Sequence, residues 1–189
     1  MTDSAVADHA ASDRSSRRAL LGAGVVGAAL ALAGARSVTA SGSPGLSDAD
    51  KELAAFAIGL ELTARDLYDA AIDAGSTGDE WSIIREQHEA YATRLAGLAG
   101  LSANARNDDV YASLEGQFAT SNPVAAAQEL ENIAAATHVE LLTSIEATSM
   151  AAIVAGIAAM ESRHSTVLGL IAGETGDALF TNPATPLEA

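Results

Sequence analysis

The sequence contains no cysteine, few aromatic residues and little positive charge. Without cysteine, the 189-residue chain has no disulfide, no thiolate metal site and no cysteine-ligated iron–sulfur cluster. Any metal site must therefore use oxygen and imidazole ligands. Aromatic residues make up 4% of the chain and hydrophobic residues 49%, with alanine supplying much of the apolar share. This composition favours one domain built from helices.

Basic residues are scarce, with 10 Lys and Arg against 25 Asp and Glu. Residues 1–40 hold four of the arginines and three of the aspartates, so the remainder has 6 basic and 22 acidic residues, a net charge of −16. Such an acidic chain is not expected to bind nucleic acid or an anionic membrane surface. The acidity is compatible with cation binding, and equally with solubility or adaptation to salt.

The first forty residues have the pattern of an export signal. Arg17 and Arg18 precede a weakly hydrophobic run rich in Gly and Ala at 19–35, followed by small residues at 38–40. The run has about 17 residues, which is short for a membrane-spanning helix. The segment resembles a twin-arginine signal peptide cleaved after Ala40 or, as a second choice, after Ala35. Cleavage would leave a periplasmic, cell-wall or extracellular protein with no stable membrane partner. The alternative is an uncleaved membrane anchor.

Hydrophobic periodicity predicts four long helices within residues 48–172, after a flexible leader at 41–47. A polar connection of about 24 residues joins the second helix to the third and contains a predicted short helix at 110–118. It is far longer than the usual link between adjacent antiparallel helices, so it predicts a crossover along a bundle. Residues 173–189 form a tail without a predicted role. The long helices are predicted at 48–74, 79–98, 124–146 and from a break near 147–149 to 172.

Each predicted helix carries polar residues on its apolar face. On the last helix, Glu161 and His164 lie about one turn apart between Ile157 and Leu168. A buried acid or imidazole without a partner costs several kcal/mol, so these side chains must have partners. The other three helices carry, on the same kind of face, Glu61; His88 with Tyr91; and Glu131 with His138.

Hairpin geometry predicts that these residues meet at one height. In an antiparallel hairpin, residues at the same level are equidistant from the turn. The midpoint of Glu61 and His88 falls at the Gly75 turn. The midpoint of Glu131 with either Glu161 or His164 falls at the break between the last two helices.

The arrangement resembles the ferritin-like carboxylate bundles, and among them the exported bacterial members with a twin-arginine signal. The resemblance rests on Glu61, Glu131 and the Glu161-x-x-His164 motif, in two helical hairpins joined by a long crossover. It implies an all-α, ferritin-like four-helix bundle in which two single Glu residues and two Glu-x-x-His motifs hold two metal ions. It also implies storage, detoxification or redox chemistry of iron or manganese.

The second helix departs from that pattern, because His88-Glu-Ala-Tyr91 stands where Glu-x-x-His is expected. Neutral imidazole does not bridge two metals, and tyrosine binds well only as phenolate, which argues against a standard oxygen-activating di-iron centre. A single Fe, Mn or Zn ion is a chemically reasonable alternative. The predicted ligands are Glu61, Glu131, Glu161 and His164, with His88 as a fifth ligand or outer-shell partner and Tyr91 and His138 as weaker candidates.

A metal-free bundle is the alternative. Three carboxylates that meet in a core repel one another unless they are protonated or share a cation. His88, Tyr91 and His164 could instead hydrogen-bond to these acids, and the protein would then be a non-catalytic scaffold with a stress or envelope role. Tyr68 is assigned to the core or to the outer shell of the site. The sequence identifies no substrate pocket, catalytic residue or oligomeric state.

Overall fold

The computed structural model describes residues 45–189, and the predicted signal segment lies outside this part of the chain. The described residues contain no strand, which confirms the predicted all-α class. No helix among them is both long enough and apolar enough to cross a membrane. The elements are α1 (Asp48–Asp73), α2 (Asp79–Ala99), α3 (Asp108–Phe118), α4 (Val124–Leu141), α5 (Thr148–Ala172) and a 3₁₀ helix (Gly176–Leu179).

Two helical hairpins form the bundle, one made by α1 and α2 and the other by α4 and α5. The chain between them carries the short helix α3, which packs mainly on α1. Thr63 of α1 fixes the start of this segment, because its hydroxyl accepts from the Asn107 amide at 2.9 Å. The structure therefore has the predicted long crossover with one short extra helix.

Local sequence signals mark several helix ends. The Ser47 hydroxyl accepts a hydrogen bond from the Asp50 amide at 3.1 Å and caps α1. The Asn107 side chain accepts from the Val110 amide at 3.1 Å and caps α3. Gly173 ends α5 with φ 85°, a left-handed conformation that favours glycine.

The end of α4 differs from the prediction, because the helix stops at Leu141 rather than near residue 146. Asp50 of α1 is 1% exposed, and its two carboxylate oxygens accept from the amides of Glu146 at 3.0 Å and Ala147 at 2.9 Å. These amides donate to a side chain about a hundred residues away instead of extending α4. Asp50 thus holds the chain between α4 and α5 in a non-helical path, and local sequence could not indicate this long-range contact.

The core consists of two apolar clusters separated along the bundle by a polar layer. One includes Ile58, Leu95 and Ile157, and the other includes Leu67, Ile84 and Leu168. On each long helix, the predicted polar residues fall between members of the two clusters. On α2, for example, His88 lies between Ile84 and Leu95. The four long helices thus place their buried polar side chains at one level.

Candidate metal centre

Three carboxylates and three imidazoles meet in the polar layer. Five of them are at most 1% exposed and the sixth, His164, is 6% exposed. The five main candidates from the sequence are therefore brought together, and His138, a weaker candidate, joins them directly. The six residues are Glu61 of α1, His88 of α2, Glu131 and His138 of α4, and Glu161 and His164 of α5.

Glu131 is hydrogen-bonded through both carboxylate oxygens. Oε1 accepts from the Tyr68 hydroxyl at 2.6 Å and lies 3.0 Å from His88 Nε2, and Oε2 lies 3.0 Å from His164 Nδ1. The other ring nitrogen of His164 is 2.6 Å from Gln87 Oε1. Both oxygens of Glu131 and both ring nitrogens of His164 therefore have partners. We name Glu131, His164, Tyr68 and Gln87 the closed half of the site.

Glu61, Glu161 and His138 form the open half, in which hydrogen bonding is incomplete. His138 Nδ1 lies 2.9 Å from Glu161 Oε2 and 3.0 Å from the Ala134 carbonyl oxygen, while Nε2 is 3.4 Å from Glu61 Oε1. Within residues 45–189, three buried atoms lack a hydrogen-bond partner: Glu61 Oε1, Glu161 Oε1 and His138 Nε2. Such atoms are uncommon in native proteins and costly, so each calls for a physical explanation.

His88 joins the two halves. Its Nδ1 lies 2.7 Å from Glu61 Oε2, and its Nε2 faces Glu131. In the part of the chain that the structure describes, two sets of three ligand atoms lie within 4.8 Å of one another: His88 with Glu131 and His164, and His88 with Glu61 and Glu161. Both sets need His88, so two ions would have to share one imidazole ring.

The closed half stabilises charged groups. Burial by itself would raise the pKa of Glu131, but the charge of His88 and hydrogen bonds from His164 and His88 outweigh it and lower this pKa to about 2. Burial by itself would lower the pKa of His88, but Glu131 and then Glu61 hold it well above the ordinary histidine value. Burial, followed by the charge of Glu131, raises the pKa of Tyr68 well above its usual range, so Tyr68 stays a donor.

The open half favours protonated groups. Burial raises the pKa of Glu161 to about 7, with the charges of Glu61 and Glu131 adding to the effect and His138 opposing it. Burial would lower the pKa of His138, but the charge of Glu161 and the hydrogen bond to it raise this pKa to about 9. Without a cation, a proton held between Glu161 and His138 reduces the repulsion between the carboxylates.

Tyr91 lies at the edge of the site. It is half-buried, and its ring meets the His88 ring edge-on at a centroid distance of 6.5 Å. Within residues 45–189, its hydroxyl makes no hydrogen bond to the six titratable side chains.

Gln87 was not among the predicted residues, because it lies beside His88 in the chain but off the apolar stripe. The position of Tyr68, two helical turns from Glu61 on the same face, could have indicated that its hydroxyl reaches the polar layer, where it donates to Glu131.

Comparison with known families agrees with this geometry. Residues 49–174 match the family model of the ferritin-like domain. The chain belongs to the ferritin-like domain family. A search of curated proteins found no match, and neither did a search of solved structures. The family match confirms the resemblance drawn from the sequence, while the nature of the metal and the export of the protein stay predictions.

The residues of this ferritin-like protein fit a transition-metal ion. Carboxylate and imidazole donors suit Fe, Mn and Zn. The open half offers three buried donor atoms without partners, contributed by three different helices. His138 also has a nitrogen facing the Ala134 carbonyl, which is the usual way to orient a metal-binding histidine. In the closed half, by contrast, an ion would have to displace hydrogen bonds from Glu131.

Proposed function

We propose that this ferritin-like protein binds one Fe or Mn ion, with Zn as a further candidate, in the open half of the site. Glu61, Glu161 and His88, whose ligand atoms lie within 4.8 Å of one another, would be ligands together with His138, whose Nε2 lies 3.4 Å from Glu61 Oε1. The unpartnered atoms Glu61 Oε1, Glu161 Oε1 and His138 Nε2 carry the proposal. A cation among these groups would remove the repulsion between the two carboxylates.

This ligand set differs from the one that the family pattern implies. His138 takes the place of His164 as the ligand from the second hairpin. Glu131 and His164 keep hydrogen-bonding roles, and Glu131 acts on the ion through His88. Because Glu131 lies 3.0 Å from His88 Nε2, it orients the ring so that Nδ1 lies beside Glu61.

The proposed role is storage, detoxification or redox chemistry of the ion. Iron or manganese would supply redox chemistry when bound. The protein's own residues would bind the ion, exclude bulk water through the apolar clusters above and below the polar layer, and hold protons on His88 or His138 when the ion leaves. The strongly acidic chain is compatible with attracting cations.

One observation favours the metal-free scaffold as a second candidate function. With His88 and His138 protonated, two positive charges offset most of the negative charge of the three carboxylates. The raised pKa values of both histidines support this proton-balanced state. A protein that remained in this state at every metal concentration would use the bundle only as a scaffold.

Metal analysis of the purified mature protein separates the two candidates. After incubation with Fe²⁺, Mn²⁺ or Zn²⁺ and removal of free metal, we expect about one ion per chain. Glu161→Gln should reduce that content to background. Glu129→Gln is the matched control, because Glu129 lies exposed on α4 and should leave the content unchanged. Wild-type protein that retains none of these metals would instead support the scaffold.

A pair of histidine variants tests the ligand set. Removing the direct ligand with His138→Gln should weaken binding by at least about a hundredfold. His164→Gln removes a residue of the closed half and should weaken it by much less. Equal losses, or a larger loss for His164→Gln, would contradict the assignment of the ion to the open half.

We also propose that the protein is exported by the twin-arginine route. Support comes from Arg17 and Arg18 ahead of the weakly hydrophobic run, and from the ability of that route to carry folded, metal-loaded proteins. Replacing both arginines with lysine should leave unprocessed protein in the cytoplasm. Mass spectrometry of the wild type should find a mature chain that begins at Ser41. A membrane-bound product that keeps residues 19–35 would support the anchor instead.

A further inference from the structure

A cavity of about 130 Å³ lies beside the open half, between α1, α3, α4 and the C-terminal tail. Glu61, His88 and Glu161 contribute to its lining. Most of the remaining lining is aliphatic. The aliphatic residues include Leu60, Leu114, Leu130, Ile133 and Leu187.

The tail, which had no predicted role, supplies one wall of this cavity. The Asn182 side chain donates to the Asn132 carbonyl at 2.8 Å, and the Leu187 amide donates to the Thr137 hydroxyl at 3.0 Å. These two bonds hold the tail along α4. Leu187 is only partly buried and lines the cavity from the tail side.

We propose that this cavity binds a small uncharged molecule that has an apolar body and one hydroxyl group, such as a short-chain alcohol. The volume is close to the roughly 150 Å³ of an apolar cavity known to bind benzene, which limits the ligand to about six heavy atoms. The aliphatic walls suit an apolar body. Glu61 and Glu161 both line the cavity, and their carboxyl groups suit a hydroxyl donor and disfavour an anion.

The proposal extends the proposed function by naming the class of molecule that would adjoin the ion. The cavity and its acceptors do not require the ion, so the test uses the metal-free mature protein. A failure here is thus distinguishable from a failure of metal binding. Protein that binds the ion and no alcohol would overturn only this inference.

Saturation-transfer NMR with 1-butanol and butyrate tests the inference directly. We expect 1-butanol to bind with a dissociation constant of roughly millimolar order, as its five heavy atoms allow. Butyrate, of similar size but charged, should bind at least tenfold more weakly. No 1-butanol binding, or equal binding of butyrate, would overturn the proposal.

Two filling variants locate the binding. Ala64→Leu fills the cavity from α1 and should weaken 1-butanol binding at least tenfold. Leu187→Trp fills it from the tail and leaves the bundle core untouched, which keeps the test valid if Ala64→Leu fails to fold. Leu170→Ala, on an exposed apolar residue outside the cavity lining, is the control and should bind 1-butanol normally. Wild-type binding by both filling variants would contradict the assignment.

Discussion

Glu131 and Glu161 are fully buried glutamates on adjacent helices of one bundle, and their environments differ sharply. Glu131 has three hydrogen-bonding neighbours, namely Tyr68, His88 and His164. Glu161 has one, His138, and one of its oxygens has no partner. The pKa of Glu131 falls to about 2, whereas that of Glu161 rises to about 7.

This difference separates the two uses of a buried carboxylate. In the closed half, hydrogen-bond donors stabilise the charge of Glu131, which then helps to hold the bundle together and fixes the orientation of His88. In the open half, donors are too few for Glu61 and Glu161, so a proton or a cation must complete the site. The buried charges of the closed half are therefore satisfied by hydrogen bonds, and the open half is where we propose that the ion binds.

The largest expected effect comes from making the same substitution in both halves. In metal-free protein at pH 7, Glu131→Gln should lower the free energy of unfolding by ~3 kcal/mol or more, because it leaves charged His88 without its main partner. Glu161→Gln should change it by about 1 kcal/mol or less, since the charge of Glu161 raises the pKa of His138 and buried His138 can become neutral once that charge is removed. Urea unfolding measures both values. Equal destabilisation by the two variants would contradict the division into halves.

Stability and metal affinity should respond to pH in opposite directions. The pKa of His138 is about 9 in the folded protein and 6.5 in the unfolded chain. Its stabilising proton is therefore present below pH 6.5 and lost as pH rises through 9, which costs ~2–3 kcal/mol. His88 shifts in the same direction, and burial of Glu161 favours its protonated form. Metal binding requires neutral imidazole, so affinity should rise over the same range.

Urea unfolding with a chelator present, and metal titrations at pH 6 and pH 9, measure the two trends. Metal-free stability that stays flat or rises between pH 6 and pH 9 would contradict these assignments.

The closed half should affect the free energy of unfolding at low pH. Since the folded-state pKa of Glu131 is about 2, its contribution is full above pH 4.5 and disappears as pH falls through 2.

A smaller effect separates the two tyrosines near the site. Tyr68→Phe removes a buried hydrogen bond to a charged carboxylate and should cost ~1.5–3 kcal/mol. Tyr91→Phe removes a partly exposed hydroxyl and should change stability by about 0.5 kcal/mol or less. Urea unfolding of both metal-free variants provides the comparison. A larger loss for Tyr91→Phe would mean that the closed half extends beyond Tyr68.

Much of the fold could be predicted from the sequence because the signals were local or periodic. Apolar spacing indicated the four long helices, Ser47 and Gly173 marked two ends, and the long polar connection indicated a crossover. Hairpin geometry then placed Glu61, His88, Glu131 and Glu161 at one level. The end of α4 could not be predicted in this way, because the chain that follows it is held by Asp50, which lies about a hundred residues earlier.

The sequence could predict which polar side chains meet in the core, but not which of their atoms pair with one another. Helical spacing shows which side chains face the core, and it places Glu131, His138 and His164 there. It does not show how a side chain is rotated, which of its atoms meet a partner, or that Gln87 reaches His164. The roles of His138 and His164 depend on such contacts. Only the three-dimensional arrangement shows that the unpartnered atoms belong to Glu61, Glu161 and His138.

A crystal structure of the metal-loaded protein, with the ion located by its anomalous scattering, tests the central claim most directly. We expect one peak about 2.0–2.2 Å from an oxygen of Glu61, an oxygen of Glu161 and Nε2 of His138. Glu131 should still accept from Tyr68. A peak between Glu131 and His164, or no peak from crystals of protein saturated with metal, would contradict it.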